Sequence, residues 1–514
     1  MDVKQVKITD MKLNRMKSYV AAVLTIVISV SCTDSFLNVP PKGAFLSGNY
    51  YANRDQAFSA LVAVYDGMRK NTGGFENITT MMNAGSDDHV AGGGSATDGL
   101  QIHVFDKFTL TADNMASSFW SDHFQGVFRA NILLAKIDGV TMGDAEKARF
   151  KAEAKTLRAI YYFNLVRMFK NVPLFTVPVS TSEIYNITQA TPESVYAQIE
   201  KDLKESLADL PGTVPATESG RMTKGGAQAM LGKVLLFEGK NSEAAVQFAD
   251  VNGTPGGTSI YGYKLLTNFS DLWVVANKFN SESIIECVHS NQSHNDWGFW
   301  GSGQDMGNTL NVMAGIRNYS KIKSASTAPA SMPGGWSFST FTQDFYDVIK
   351  TDPRFAATVL DLHAYETAGD IAYVHGDEDL GYYLNKFMPR PQDVFTGGGA
   401  VELNFQQDSY VIRLADTYLM EAEALGATGA RAQALLDAVR ARVGLASVPV
   451  SLSAIKNERR LELAGEGHRF FDLVRWNDAT AMLASRGFVA GKHEIFPIPA
   501  RELKGTKLQQ NPGY

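Results

Sequence analysis

The feature that most constrains this chain is a single long helical stripe. Between Ala145 and Lys170, the residues Phe150, Ala154, Leu157, Tyr161, Leu165 and Met168 recur at steps of 4, 3, 4, 4 and 3. All six therefore share one face of an α-helix, which Pro173 stops. Such a helix needs other helices to bury its stripe, and the sequence supplies them. Phe119 through Ile137 repeats the period upstream. Thr191 is placed to cap a helix that opens on Pro192 and closes before Pro211. Gly225–Glu238 sets Ala227, Leu231, Val234 and Leu235 on one face, with Gly226 and Gly232 leaving room for a close neighbour, and Ser242–Phe248 continues it. Towards the C-terminus, Val411, Leu414, Ala415, Tyr418, Ala422 and Leu425 form another stripe, followed by Ala430–Val443 and Ser453–Ala464. The expected fold class is mainly α: a tetratricopeptide-like scaffold of helix pairs with small residues at the contacts, without a strict repeat.

Between the two helical zones, periodicity fades. Thr254–Asn404 is expected to be a large, irregular, loop-rich insertion, with glycine clusters and a few short strands such as Ser283–Val288 and Ile371–Val374. Loops carried on a rigid scaffold are where function concentrates. The chain then divides into a signal peptide over 1–31, a tether over 32–45, an N-terminal helical part over 46–253, the insertion over 254–404, and a C-terminal helical part over 405–514 that completes a single domain.

The first segments read as an address. Lys12, Arg15 and Lys17 precede an uncharged run from Tyr19 to Val30, which is too short to span a ~30 Å hydrocarbon core. Ser31-Cys32 follows, the pattern of a bacterial lipoprotein signal, so Cys32 is the expected lipid attachment point. Ser29 stands where such signals usually carry Leu. Met11 would leave a more compact basic region than Met1 does. Pro40 and Pro41 keep the following residues extended, as a tether.

Charge and composition exclude several classes. Lys+Arg total 48 against 54 Asp+Glu, a net charge of −6 with no basic tract, so nucleic acid is not the expected partner. Two cysteines, Cys32 and Cys287, allow neither a disulfide framework nor a multi-cysteine zinc site. No metalloprotease, nucleophile-elbow or P-loop motif occurs, and no cofactor is implied. His289 and His294 lack companions for a metal site. Glu458, Glu462 and Glu466 stand four residues apart and would suit acid–base work. The arginines interleaved with them instead suggest ion pairs that lock helices, with Gly465 and Gly467 breaking the helix between the last two glutamates.

Specific segments bring a resemblance. These are ALVAVYDGMR (60–69), AEAKTLRAIYYFNLVRMFKNVPL (152–174), GRMTKGGAQAMLGKVLLFEG (220–239), NSESIIECV (280–288), TDPRF (351–355), RLADTYLMEAEAL (413–425), NERRLELAGEGHRFFDLVRWN (457–477) and FPIPARELKGTKLQQNPGY (496–514). In this order they make the chain resemble the SusD/RagB family of Bacteroidetes outer-membrane lipoproteins. Lys170 departs from the family, which usually has Gly there. The resemblance implies a helical fold and a non-catalytic, surface-exposed, lipid-anchored protein. It would capture nutrient, usually glycan, and pass it to a SusC-like TonB-dependent transporter.

Sugar recognition needs flat apolar faces beside hydrogen-bonding groups. Asn291–Trp300 supplies both, with Asn295, Asp296, Trp297 and Trp300 the expected contacts. Trp336 follows two glycines. Trp120, Trp273 and Trp476 fall in scaffold segments. Asp87, Asp88 and His89, ahead of Gly92-Gly93-Gly94, could hold sugar hydroxyls or a cation, or simply form a capped turn; in relatives this neighbourhood borders the ligand face. Two other readings stay open. One is a surface-anchored glycoside hydrolase using Asp87 or Asp88 with Asp296. The other is capture of peptide instead of oligosaccharide.

Overall fold

A computed structural model of the chain describes residues 51–292, 294, 296–299 and 306–514. The signal peptide and tether, with Cys32, lie outside the described residues. Residues 53–514 form one compact unit.

The principal helices are α1 (Arg54–Tyr65), α2 (Ser118–Lys136), α3 (Asp144–Phe169), α4 (Pro192–Ser206), α5 (Lys224–Phe237), α6 (Asn241–Asn252), α7 (Thr309–Ala314), α8 (Leu414–Ala424), α9 (Gly429–Arg442), α10 (Leu452–Glu462) and α11 (Arg469–Arg475). Neighbours in sequence pack on one another from α1 through α6, and the stack then continues directly from α6 to α8, α9 and α10. The insertion therefore leaves and re-enters the helical stack between two helices that touch.

Every residue of the long stripe is buried, but α3 is buried well beyond one face. Ile160, Tyr162, Phe163, Val166 and Phe169 are enclosed as well. The reason is its place in the stack: α1, α2, α4 and α5 all pack against it. Thr191 caps α4 as the sequence predicts, accepting the Ser194 N–H. Gly232 is the close-approach position between α5 and α6, because a Cβ there would sit 2.7 Å from the Phe248 ring.

One boundary differs from the sequence expectation. Val411 belongs to a strand, and α8 begins at Leu414. Strand β1 (Ser283–Cys287) pairs antiparallel with β2 (Ser409–Arg413), so the last residues before α8 are taken by the sheet that closes the insertion. Cys287 is buried in β1, its Sγ 3.1 Å from the Met68 carbonyl oxygen. The second expected strand is only Ile371–Ala372, paired with Ser320–Lys321. No described helix is long and apolar enough to cross a membrane.

The glutamate series, Glu458 and Glu462 on α10 and Glu466 in the turn after it, is scaffold. Glu458 takes Arg354 at 2.6 Å, Glu462 takes Arg413 at 2.6 Å and Arg354 at 3.0 Å, and Glu466 takes Lys386 and Arg413 at 2.8 Å each. These cations come from the insertion and from β2. The interleaved arginines reach elsewhere: Arg459 binds Asp416 and Asp472, Arg460 binds Asp88, and Arg469 binds Asp87. Burial alone would raise the carboxyl pKa of Glu462, but Arg442, Arg413 and Arg354 outweigh it and hold the group ionised. Ion pairs of this kind lock the insertion onto the C-terminal helices.

Candidate functional site: an aromatic platform on the insertion

The site is built on the exit of α7. Its backbone receives the strap 334–338 almost atom for atom. Gly335 N–H donates to the Ile316 carbonyl, Trp336 N–H to Val312, Ser337 N–H to Gly315 and Phe338 N–H to Met313, at 2.7–3.0 Å. The two backbones cross at paired glycines: a Cβ on Gly335 would lie 2.2 Å from the Gly315 Cα. Only glycine fits that crossing, and the crossing fixes where Trp336 emerges.

Trp336 does not stand alone. Its ring lies 5.9 Å from that of Trp297 at an interplanar angle of 30°, and 6.2 Å from Phe75. Phe75 in turn packs edge-on against buried Phe338 at 5.5 Å. Trp297 is 46% exposed on a short helical turn and Trp336 is half-buried. The Trp297 loop leans on a second glycine-rich loop, where His294 Nδ1 lies 3.1 Å from the Gly397 carbonyl oxygen and its ring meets Phe395 edge-on at 4.8 Å. Asp296 is exposed beside Trp297 and accepts its backbone N–H at 3.3 Å. The result is a solvent-facing apolar surface assembled from three separate loops.

Trp297, Trp336 and Asp296 are thus brought to one region, while Asn295 and Trp300 lie outside the described residues. Asp87, Asp88 and His89 go elsewhere. Asp88 and His89 are each 1% exposed. Arg469 donates to both Asp87 oxygens at 2.8 Å, and Arg460 donates to Asp88 at 2.7 Å. Burial, reinforced by neighbouring Asp87, pushes Asp88 up to about 6. Burial would also raise Asp87, but Arg469 and Arg460 overcome it and keep its pKa below the usual carboxylate range. His89 lies against Phe341 at 4.2 Å with Nδ1 at 2.9 Å from the Ser339 carbonyl oxygen, and burial drives its pKa down to about 3. Asp88 and His89 are thus buried and Asp87 half-buried, with both carboxylates paired to arginines. The glycines that follow do reach the platform, since Gly92 bridges to Phe338 and Gly93 N–H donates to the Ser337 carbonyl.

His289 is buried, with Nε2 at 2.7 Å from the Thr72 hydroxyl, whereas His294 is on the surface. No group of three or more His, Cys, Asp or Glu side chains among the described residues is arranged to hold a metal. The other tryptophans are structural. Trp120 packs edge-on against Phe169, Trp273 lies among Phe387 and Tyr410, and Trp476 donates its indole N–H to Glu423.

Sequence reasoning missed Phe75. The signal was present: Phe75 follows Gly73-Gly74 just as Trp336 follows Gly334-Gly335.

The class these features define is a helix-pair scaffold whose loop-rich insertion carries two neighbouring tryptophan rings. This chain belongs to the SusD family. The family model matches residues 275–514, and a second model, described as "starch-binding associating with outer membrane", matches residues 51–236. A solved laminarin-binding SusD-like protein is 57% identical, with a TM-score of 0.89 over 90% of this chain and all of that one. Surface glycan-binding protein A from Bacteroides thetaiotaomicron, solved with laminarihexaose, is 25% identical, with a TM-score of 0.77 over 90% of this chain and all of its own. SusD-like protein P25 of Formosa agariphila is 23% identical over 95% of this chain and 97% of its own length.

Proposed function

We propose that this chain is a non-catalytic cell-surface lipoprotein, anchored through Cys32, that captures laminarin-type oligosaccharide and passes it to a SusC-like TonB-dependent transporter. The observation that carries the reading is the Trp297–Trp336 pair, exposed at Trp297 and half-buried at Trp336, with rings 5.9 Å apart and 30° from coplanar. Such a surface suits the C–H faces of successive sugar rings. The 57% identity to a laminarin-binding relative supports the choice of glycan. The hydrolase reading loses its carboxylate pair, because Asp87 and Asp88 are committed to arginines.

Calorimetry on the soluble form starting at Thr33 tests this. Laminarihexaose should give heat and, after long incubation, no shortened product. Trp297→Ala and Trp336→Ala should each weaken binding at least tenfold, about 1.4 kcal/mol. Absence of heat with laminarihexaose, or release of shorter oligosaccharides, would overturn the reading. Labelled palmitate incorporated by the full chain and lost in Cys32→Ala tests the anchor.

A further inference from the structure

Stacking on two tryptophans holds a sugar ring but reads little of its hydroxyl pattern. The residues that could read it are tied to the backbone of Trp336. Arg317 Nε donates to the Trp336 carbonyl at 3.0 Å, and its Nη2 meets Asp98 Oδ2 at 2.5 Å. The same Asp98 oxygen accepts the Gly94 N–H at 2.7 Å. Gly94 lies directly against the guanidinium, for a Cβ there would come within 3.0 Å of the Arg317 Cζ. Both side chains are partly open to solvent, Arg317 at 29% and Asp98 at 39%, and the loop 94–97 beside them is exposed.

The loop itself is held from three sides. Gly93 bonds Ser337, Asp377 N–H donates to the Gly93 carbonyl, and His103 Nε2 lies 3.1 Å from the Asp98 carbonyl. Asp98 is therefore placed by the scaffold, not by chance on a free loop.

A guanidinium has five N–H groups, and the bonds to Trp336 and Asp98 use two of them. A sugar hydroxyl both donates and accepts. A guanidinium beside a carboxylate supplies fixed donors and a strong acceptor to neighbouring hydroxyls of one ring, which stacking cannot do. Resting on the platform reading above, we propose that Arg317 and Asp98 are the specificity-determining polar half of the site: they bind vicinal hydroxyls of the sugar stacked on Trp336 and Trp297.

The experiment uses Arg317→Lys and Asp98→Asn, which keep size and, for the lysine, charge. Laminarihexaose affinity is measured by calorimetry. Near-ultraviolet circular dichroism of the ligand-free protein, read as its difference from that of Trp336→Ala, reports the Trp297–Trp336 pair. The expected result is a Kd raised tenfold or more in each variant with the wild-type dichroism retained. A Kd within twofold of wild type, while Trp336→Ala abolishes binding, would overturn this inference and leave the platform standing. Loss of affinity together with loss of the tryptophan-pair signal would also overturn it, reducing Arg317 and Asp98 to supports for Trp336. Failure of the wild type to bind would overturn the platform reading itself and this inference with it.

Discussion

Arg460 and Asp88, 372 residues apart in sequence, are joined by a 2.7 Å charge-assisted hydrogen bond with the carboxylate almost wholly buried. Beside them Arg469 grips Asp87 through two further bonds of 2.8 Å. The start of the chain's folded body is thereby tied to α10 and α11 near its end. Removing one partner leaves the other with only a longer ion-pair contact, Arg460 at 3.4 Å from Asp87 or Asp88 at 3.9 Å from Arg469, so Arg469→Ala or Asp87→Ala should cost about 1–3 kcal/mol. Because these carboxylates face inward, variants still folded at low temperature should bind laminarihexaose within about twofold of wild type, less than 0.5 kcal/mol. Chemical denaturation and calorimetry on the same samples check both halves. A variant with full stability and lost binding would return Asp87 to the ligand face.

The Gly315–Gly335 crossing makes a second prediction. Gly335→Ala places a methyl group 2.2 Å from the Gly315 Cα, a contact that no side-chain adjustment relieves. The strap must lift and carry Trp336 with it. Affinity for laminarihexaose should fall at least tenfold, about 1.4 kcal/mol. Gly334→Ala, where no atom lies within 4 Å of the added methyl, should leave affinity unchanged.

The scaffold was largely legible because helical burial repeats every three to four residues and leaves its period in the sequence. Phe150 to Met168, the Thr191 cap and Gly232 all speak through local rules. Val411 did not, because its strand partner is β1, more than a hundred residues away, and pairing overrode a weak helical stripe. The site was half legible. Trp297 and Trp336 stood out by residue type and glycine context, but nothing local tells that Asp98 meets Arg317 while Asp87 meets Arg469. Two acidic segments of similar appearance were separated only by the long-range fold. Arg354, Arg413, Arg440 and Arg442, not the arginines between them, neutralise Glu458 and Glu462 of α10 for the same reason.

Lys170 ends α3 with φ 63° and ψ −77°, a backbone conformation that a Cβ resists. Its side chain is exposed, so little packing would be lost on removal. Lys170→Gly should stabilise the protein by about 1 kcal/mol. The midpoint of denaturant unfolding should rise with an unchanged slope, which separates a native-state effect from a change in cooperativity. A lower midpoint would show that Lys170 makes a contact outweighing its strain.

Glu286 on β1 supplies a pH dependence with a definite sign. Its carboxylate accepts the Phe279 N–H at 2.9 Å, but burial, with Asp408 adding repulsion and Lys278 only partly offsetting it, pushes its pKa up to about 8. The folded state therefore holds a proton that the unfolded chain releases near pH 4.5. Between those values the native state binds more protons, so this group's contribution to stability falls as pH rises from about 4.5 to about 8. Glu286→Gln keeps the shape without the titration. The variant should be at or below wild type in stability at pH 5 and should gain on it steadily towards pH 8.5. The stability difference between the two proteins, measured by urea unfolding at half-unit steps, carries the test. A difference independent of pH would mean that Glu286 ionises in the fold as readily as in the unfolded chain.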